Sequence, residues 1–324
     1  MITTTRHFHT ISTGAQSRRL SYLQTGGDQP LDVIFCLPGL LETSESFEPL
    51  VDQVQAITTC TWISIDYCGR GESDPLPIDQ TYAMSIYLED IHSLMKHWLA
   101  GKNASTMNLH LIGTSMGGLL GMHLVHRNSF TFKSLILNDI GLVLYWPALA
   151  NLYLKIKQNP DVLKKLRLDS RIIRAVQKPQ HFDLSCKINF EGMQFHDLLD
   201  QTKAKVFLLH CNFSPICPVE VARISRWRYP NLVLWSQAGD SHPAIWSKEV
   251  VSAMKSELSL IKQSTALDTV QWFNTRKTSE EIFEQTLQIK QFLAISERYL
   301  SEKDTKTWLN RLLDKLRKIL ISRI

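Results

Sequence analysis

The spacing of apolar residues changes period along this chain, and the changes divide it into elements. Asp32–Leu37, Thr61–Ile65, Leu109–Ile112, Ser134–Asn138, Lys205–His210 and Asn231–Trp235 are short, nearly continuous apolar runs. Runs of this length, bounded by turn residues, read as strands buried on both faces. Between them apolar positions recur at helical spacing. Phe47, Leu50, Val51 and Val54 follow a candidate N-cap at Ser44, and similar stretches cover 82–99, Met116–Val125, about Pro218–Trp227 and roughly 246–263. Residues 6–12 and 18–24, joined by Thr13-Gly14-Ala15-Gln16-Ser17, predict a β-hairpin. Strand alternating with helix predicts an α/β fold: a mostly parallel, doubly wound sheet with helices on both faces.

The alternation lapses twice. Residues 142–203 carry amphipathic helical spacing without a clear strand, and predict an inserted helical segment whose opening, Leu142 to Leu154, is rich in aromatic and apolar side chains. Residues 264–324 run past the closing helix. Thr278-x-x-Glu281 has the form of a capping box, and a last helix gathers Trp308, Leu309, Leu312, Leu313, Leu316, Ile319 and Leu320 on one arc. The expected organisation is a core of 1–141 and 204–263, a helical insertion at 142–203, and a C-terminal helical extension at 264–324.

Composition adds limits. At 324 residues and 44% hydrophobic, the chain can bury one large core with insertions, or two. The net charge of +5 resides in the tail, where Lys306, Arg311, Lys315, Arg317, Lys318 and Arg323 face a single acid, Asp314. A basic amphipathic helix can lie on an anionic membrane surface, dock on its own protein, or pair with a second copy. Nothing resembles a nucleic-acid module. No stretch approaches the ~20 apolar residues of a membrane span, and the first residues lack the apolar core of a signal peptide. The six cysteines include no C-x-x-C pair and read as buried thiols, so the cytoplasm is the expected compartment.

The chemistry gathers at Gly113-Thr114-Ser115-Met116-Gly117, set between a predicted strand and a predicted helix. This G-x-S-x-G pattern suits a strained strand-to-helix turn that lifts a serine hydroxyl above a sheet, with glycines where a Cβ would meet backbone. Three more motifs stand in order with it: Leu37-Pro38-Gly39-Leu40, Asp66-x-x-Gly69-x-Gly71-x-Ser73 and Gly239-x-x-His242. Together they resemble the α/β-hydrolase superfamily over about residues 6–263.

The resemblance implies that Ser115 is a nucleophile and His242 its base. It also implies an oxyanion hole made by the backbone N–H groups of Met116 and Leu40, and a cap formed by the insertion. No cofactor or metal is implied; His7-x-His9 lacks a third ligand nearby. Asp66 and Arg70 read as loop-pinning residues, and Glu42 and Glu45 as surface. The superfamily usually carries its acid after the strand at 205–210, and there this chain has Ser214 and Pro215. Asp139, at the end of the preceding strand, is the favoured acid. Asp240 is better placed to cap the following helix, Asn212 could orient the imidazole without charge, and a site without a working acid is the other reading. The expected activity is hydrolysis of a carboxylic ester, lipid-like in its acyl part, through an acyl-serine. An acyltransferase using the same residues and a catalytically impaired binding scaffold are the alternatives.

Overall fold

The computed structural model describes residues 3–13, 16–28, 30–55, 60–103, 106–158, 167–176, 178–260 and 270–273. The hairpin comprises β1 (Thr4–Thr13) and β2 (Gln16–Thr25). There follow β3 (Asp32–Leu37), α1 (Glu48–Gln55), β4 (Thr61–Ile65), α2 (Met84–Leu99), β5 (Asn108–Thr114), α3 (Met116–His126) and β6 (Phe132–Asn138). The insertion holds β7 (Val143–Tyr145), α4 (Trp146–Gln158), α5 (Ser170–Val176), β8 (Lys187–Ile188) and β9 (Gly192–Gln194). The core resumes with β10 (Lys205–Cys211), α6 (Val219–Arg228), β11 (Val233–Gln237), α7 (Lys248–Leu260) and β12 (Val270–Phe273).

Nine strands form one sheet in the order β1-β2-β4-β3-β5-β6-β10-β11-β12. β2 runs antiparallel to both its neighbours, and the strands from β4 to β12 are parallel. Both faces are covered, which is why the strands read as continuous apolar runs. Val33, Phe35 and Leu37 of β3 join one apolar cluster with α2 and α3, while Ile34 and Cys36 join another with α1 and α7. All five are fully buried; a side chain of this kind contributes about 1.5–3 kcal/mol when removed from water. After β4 the chain crosses to the other side of β3 to lay down β5, so the order reverses there. Loops leaving the carboxyl ends of β3 and β5 therefore diverge and leave a crevice, the usual ligand position in an open α/β sheet.

Several expectations need correction. The insertion is not wholly helical: β7, β9 and β8 form a three-stranded antiparallel sheet. The first described element past residue 264 is a strand, since Leu234–Gln237 pair in parallel with Val270–Phe273. The capping box and the basic final helix lie outside the described residues. Thr43, not Ser44, occupies the N-cap position of the 3-10 turn before α1 and makes no side-chain cap bond, while the Ser44 N–H donates to Asp66 Oδ1 at 2.7 Å. Among the described residues no helix is long and apolar enough to cross a membrane.

Candidate active site

β5 ends at Thr114 and α3 begins at Met116, so Ser115 alone takes up the change of direction. Its φ of 50° and ψ of −114° lie outside the ordinary regions, a conformation costing ~1–3 kcal/mol that the surroundings must enforce. The flanking glycines show how. A Cβ on Gly117 would stand 2.0 Å from the Leu37 carbonyl oxygen, and one on Gly113 would stand 2.5 Å from the Gly117 carbonyl carbon. The absence of side chains lets β3, β5 and α3 meet closely enough to hold the serine up.

Asp139 leaves the adjacent strand at the same level, because Thr114 of β5 and Asn138 of β6 are register partners. Its φ of 58° bends the chain out of the strand, and its N–H is fixed at 2.7 Å on the Leu209 carbonyl. The carboxylate is completely buried. Its Oδ2 accepts one hydrogen bond from His242 Nδ1 at 2.6 Å and another from the Ser214 hydroxyl at 2.6 Å. A carboxylate only accepts, so the His242 proton sits on Nδ1 and Nε2 is left as an acceptor. The Ser115 hydroxyl donates to that Nε2 at 2.9 Å. Asp139, His242 and Ser115 thus form one continuous hydrogen-bonded chain.

Ser214 does not take the place of Asp139 beside His242; it donates a hydrogen bond to that carboxylate. Its oxygen also accepts the N–H groups of Ile216 at 3.1 Å and Cys217 at 3.0 Å, so its own proton is directed to Asp139. Asn138 was missed in the sequence. Its side-chain amide donates to the Ala244 carbonyl at 3.0 Å and accepts the Ala244 N–H at 3.1 Å, clamping the loop two residues past His242. Gln237 adds a bond to the Ile245 carbonyl at 2.7 Å. The available signal was a pair of amide side chains closing otherwise apolar strands. Asp240 is exposed and does not cap α7, where the Ser247 hydroxyl accepts the Val250 N–H.

Leu40 and Met116 line one cleft with Ser115, along with Leu119, Ile140, Leu144, Leu149, Leu152, Phe182 and Ile216. Leu144, Leu149, Leu152 and Phe182 come from the insertion, so that segment covers the serine with apolar side chains. The cleft encloses about 20 Å³, room for one water. Glu42 is not a surface residue. It is half-buried, burial pushes its carboxyl pKa up, and its Oε2 accepts the Gly39 N–H at 2.6 Å. Glu45 is exposed and pairs with Arg6.

Other groups of similar composition lack access. Asp32, His110 and Ser134 also line up, with His110 Nδ1 2.7 Å from the Ser134 hydroxyl, but Ser134 is fully buried inside the sheet. His181 is buried against the Tyr82 carbonyl, and His196 lies beside Arg228. Asn212 is bonded through its backbone to Gln237 and does not stand in for the acid in the His242 chain. Among the described residues no cluster of three His, Cys, Asp or Glu side chains is placed to hold a metal.

Residues 28–177 match the family model described as serine aminopeptidase, S33. A curated relative, the 3-hydroxybutyrate-oligomer hydrolase of Cupriavidus necator, is 29% identical over 123 residues, which are 38% of this chain and 39% of that protein. An α/β hydrolase from Novosphingobium aromaticivorans superposes with a TM-score of 0.61 at 19% identity, over 80% of this chain and 99% of its own. A thermophilic esterase from Thermogutta terrifontis gives 0.59 at 18%, over 79% and 99%. The chain has the fold of the α/β hydrolases on which it superposes. Against the usual α/β-hydrolase pattern, the distinguishing feature here is the carboxylate at the end of β6, with a serine in its customary place after β10.

Proposed function

We propose that this protein is a serine hydrolase that cleaves carboxylic esters through an acyl-serine intermediate. The hydrogen-bonded chain Asp139–His242–Ser115 is the observation that carries the reading. In the first half-reaction Ser115 Oγ attacks the ester carbonyl while His242 Nε2 takes the hydroxyl proton. Asp139 holds the imidazole in the correct tautomer and offsets its charge. The oxyanion is held by the N–H groups of Met116 and Leu40, a donor pair of which each member is worth ~3–4 kcal/mol in the transition state. The tetrahedral species collapses, the C–O bond breaks, and the alcohol leaves with the proton from His242. Water then attacks the acyl-serine by the same path and restores the enzyme.

Wholly apolar lining around the serine favours an acyl chain of hydrocarbon character, and the insertion serves as a cap that selects it. Similarity to a thermophilic esterase and to a 3-hydroxybutyrate-oligomer hydrolase supports this class. An impaired scaffold is disfavoured, since that reading depended on His242 lacking a carboxylate. Transfer to an acceptor other than water would use the same first half-reaction. Labelling with a fluorophosphonate probe tests the proposal: wild type labels, Ser115→Ala and His242→Ala do not, and nitrophenyl esters of graded chain length are hydrolysed. A wild-type protein that never labels would sink it.

A further inference from the structure

The loop that presents the Leu40 N–H is held by a side chain outside the Asp139–His242–Ser115 chain. Glu42 Oε2 accepts the Gly39 N–H at 2.6 Å, and the Glu42 N–H returns to the Gly39 carbonyl at 3.3 Å. The Pro38 carbonyl, on the same peptide as the Gly39 N–H, accepts the buried Tyr67 hydroxyl at 2.9 Å. The Leu40 carbonyl accepts Arg70 Nε at 3.1 Å, and that guanidinium is itself buried over the Tyr67 and Tyr87 rings. A trans peptide is planar, so fixing its oxygen fixes its N–H. The Glu42 N–H on the Gly39 oxygen therefore aims the Leu40 N–H. Gly39 allows the approach, since a Cβ there would stand 2.9 Å from Glu42 Oε2.

We infer that Glu42 is a positioning residue for the transition state: its carboxylate fixes the Pro38–Gly39 peptide, and through Gly39 it steadies the adjoining Gly39–Leu40 peptide whose N–H meets the forming oxyanion. The clamp rests on the acyl-serine reading above. It acts only where negative charge develops on the carbonyl oxygen, so its loss lowers kcat and leaves substrate binding in place.

The experiment compares wild type, Glu42→Ala and Glu42→Gln with a nitrophenyl ester and two inhibitors of matched chain length. The trifluoromethyl ketone adds Ser115 Oγ and places an oxyanion in the hole; the plain methyl ketone only binds. For Glu42→Ala, kcat and trifluoromethyl ketone affinity should fall together by about ten- to a hundredfold. KM and methyl ketone affinity should stay within about twofold, showing uniform binding intact. Glu42→Gln should recover most of the loss, since its amide oxygen still accepts the Gly39 N–H. Glu42→Asp, whose shorter arm falls short of Gly39, repeats the test should the alanine variant not fold. Unchanged kinetics in Glu42→Ala, or equal losses for both ketones, overturn the clamp. Glu42→Gln as poor as Glu42→Ala overturns it too, leaving the charge as the operative property. A wild type unlabelled at Ser115 removes the acyl-serine reading and the clamp with it; a labelled wild type with unaffected variants removes the clamp alone.

Discussion

At the scale of single residues, the informative pair is Asp139 and Ser214. A carboxylate at the end of β6 reaches His242 because Asn138 and Thr114 are level in the sheet, one strand away from the serine. The serine after β10 then supplies a proton to the acid where another carboxylate would repel it. Asp139→Asn should reduce kcat by about 10⁴, since an amide lets the ring take the wrong tautomer; steady-state hydrolysis of a nitrophenyl ester measures this. Ser214→Asp, which puts an acid in the customary position, should impair the enzyme. Two buried carboxyls in contact cannot both ionise, and one pKa is driven up. Ser214→Asp with undiminished activity at neutral pH would show that Asp139 does not need the Ser214 hydroxyl beside it.

Among the elements, legibility followed the length and burial of each segment. β3, β5, β6 and β10 are long enough, and buried enough on both faces, for unbroken apolar runs to declare them. β8 and β9, of two and three residues, are too short to show a period of two. Gly192 in β9 marks only in hindsight a close approach, its missing Cβ lying 2.1 Å from the Leu144 carbonyl oxygen. Ser115 and His242 were visible because their motifs are local. The hydrogen bonds of Glu42 and Asn138 were not, because each depends on which backbone lies opposite in space. Asn138→Ala should release the His242 loop: the Ala244 N–H and C=O lose partners in a buried setting, at about 1–3 kcal/mol each. kcat should drop with little change in KM, and melting temperature should fall in parallel. Phe182→Ala tests the insertion as a selector. Removing the ring from the cleft should move the preferred nitrophenyl ester toward longer acyl chains without loss of fluorophosphonate labelling. An unchanged chain-length profile would mean that Phe182 only attaches the insertion to the core.

For the molecule as a whole, buried imidazoles outside the Asp139–His242–Ser115 chain set its tolerance of acid. His123 on α3 is 6% exposed, and its Nε2 has no partner among the described residues. Burial first, then the nearby His126 and Arg127 charges, push its pKa down to about 4. His181 is likewise pushed down to about 4, by burial and by Arg70. The ring's described hydrogen bond, to the Tyr82 carbonyl, ties the insertion to the loop before α2. In the unfolded chain these rings titrate near 6.5. Between that value and 4 the unfolded state binds more protons, so their contribution to stability is present above pH 6.5 and is lost as pH falls toward 4. For one such histidine the loss from pH 7 to pH 5 is about 2 kcal/mol. Wild type should therefore melt lower at pH 5 than at pH 7. His123→Leu, which leaves the apolar surroundings without a group to protonate, should lose about 2 kcal/mol less over the same interval. Thermal or urea unfolding at the two pH values, on both proteins, reads that difference directly. Identical pH slopes would show that His123 is already accommodated as a cation in the folded chain, and that acid sensitivity arises elsewhere.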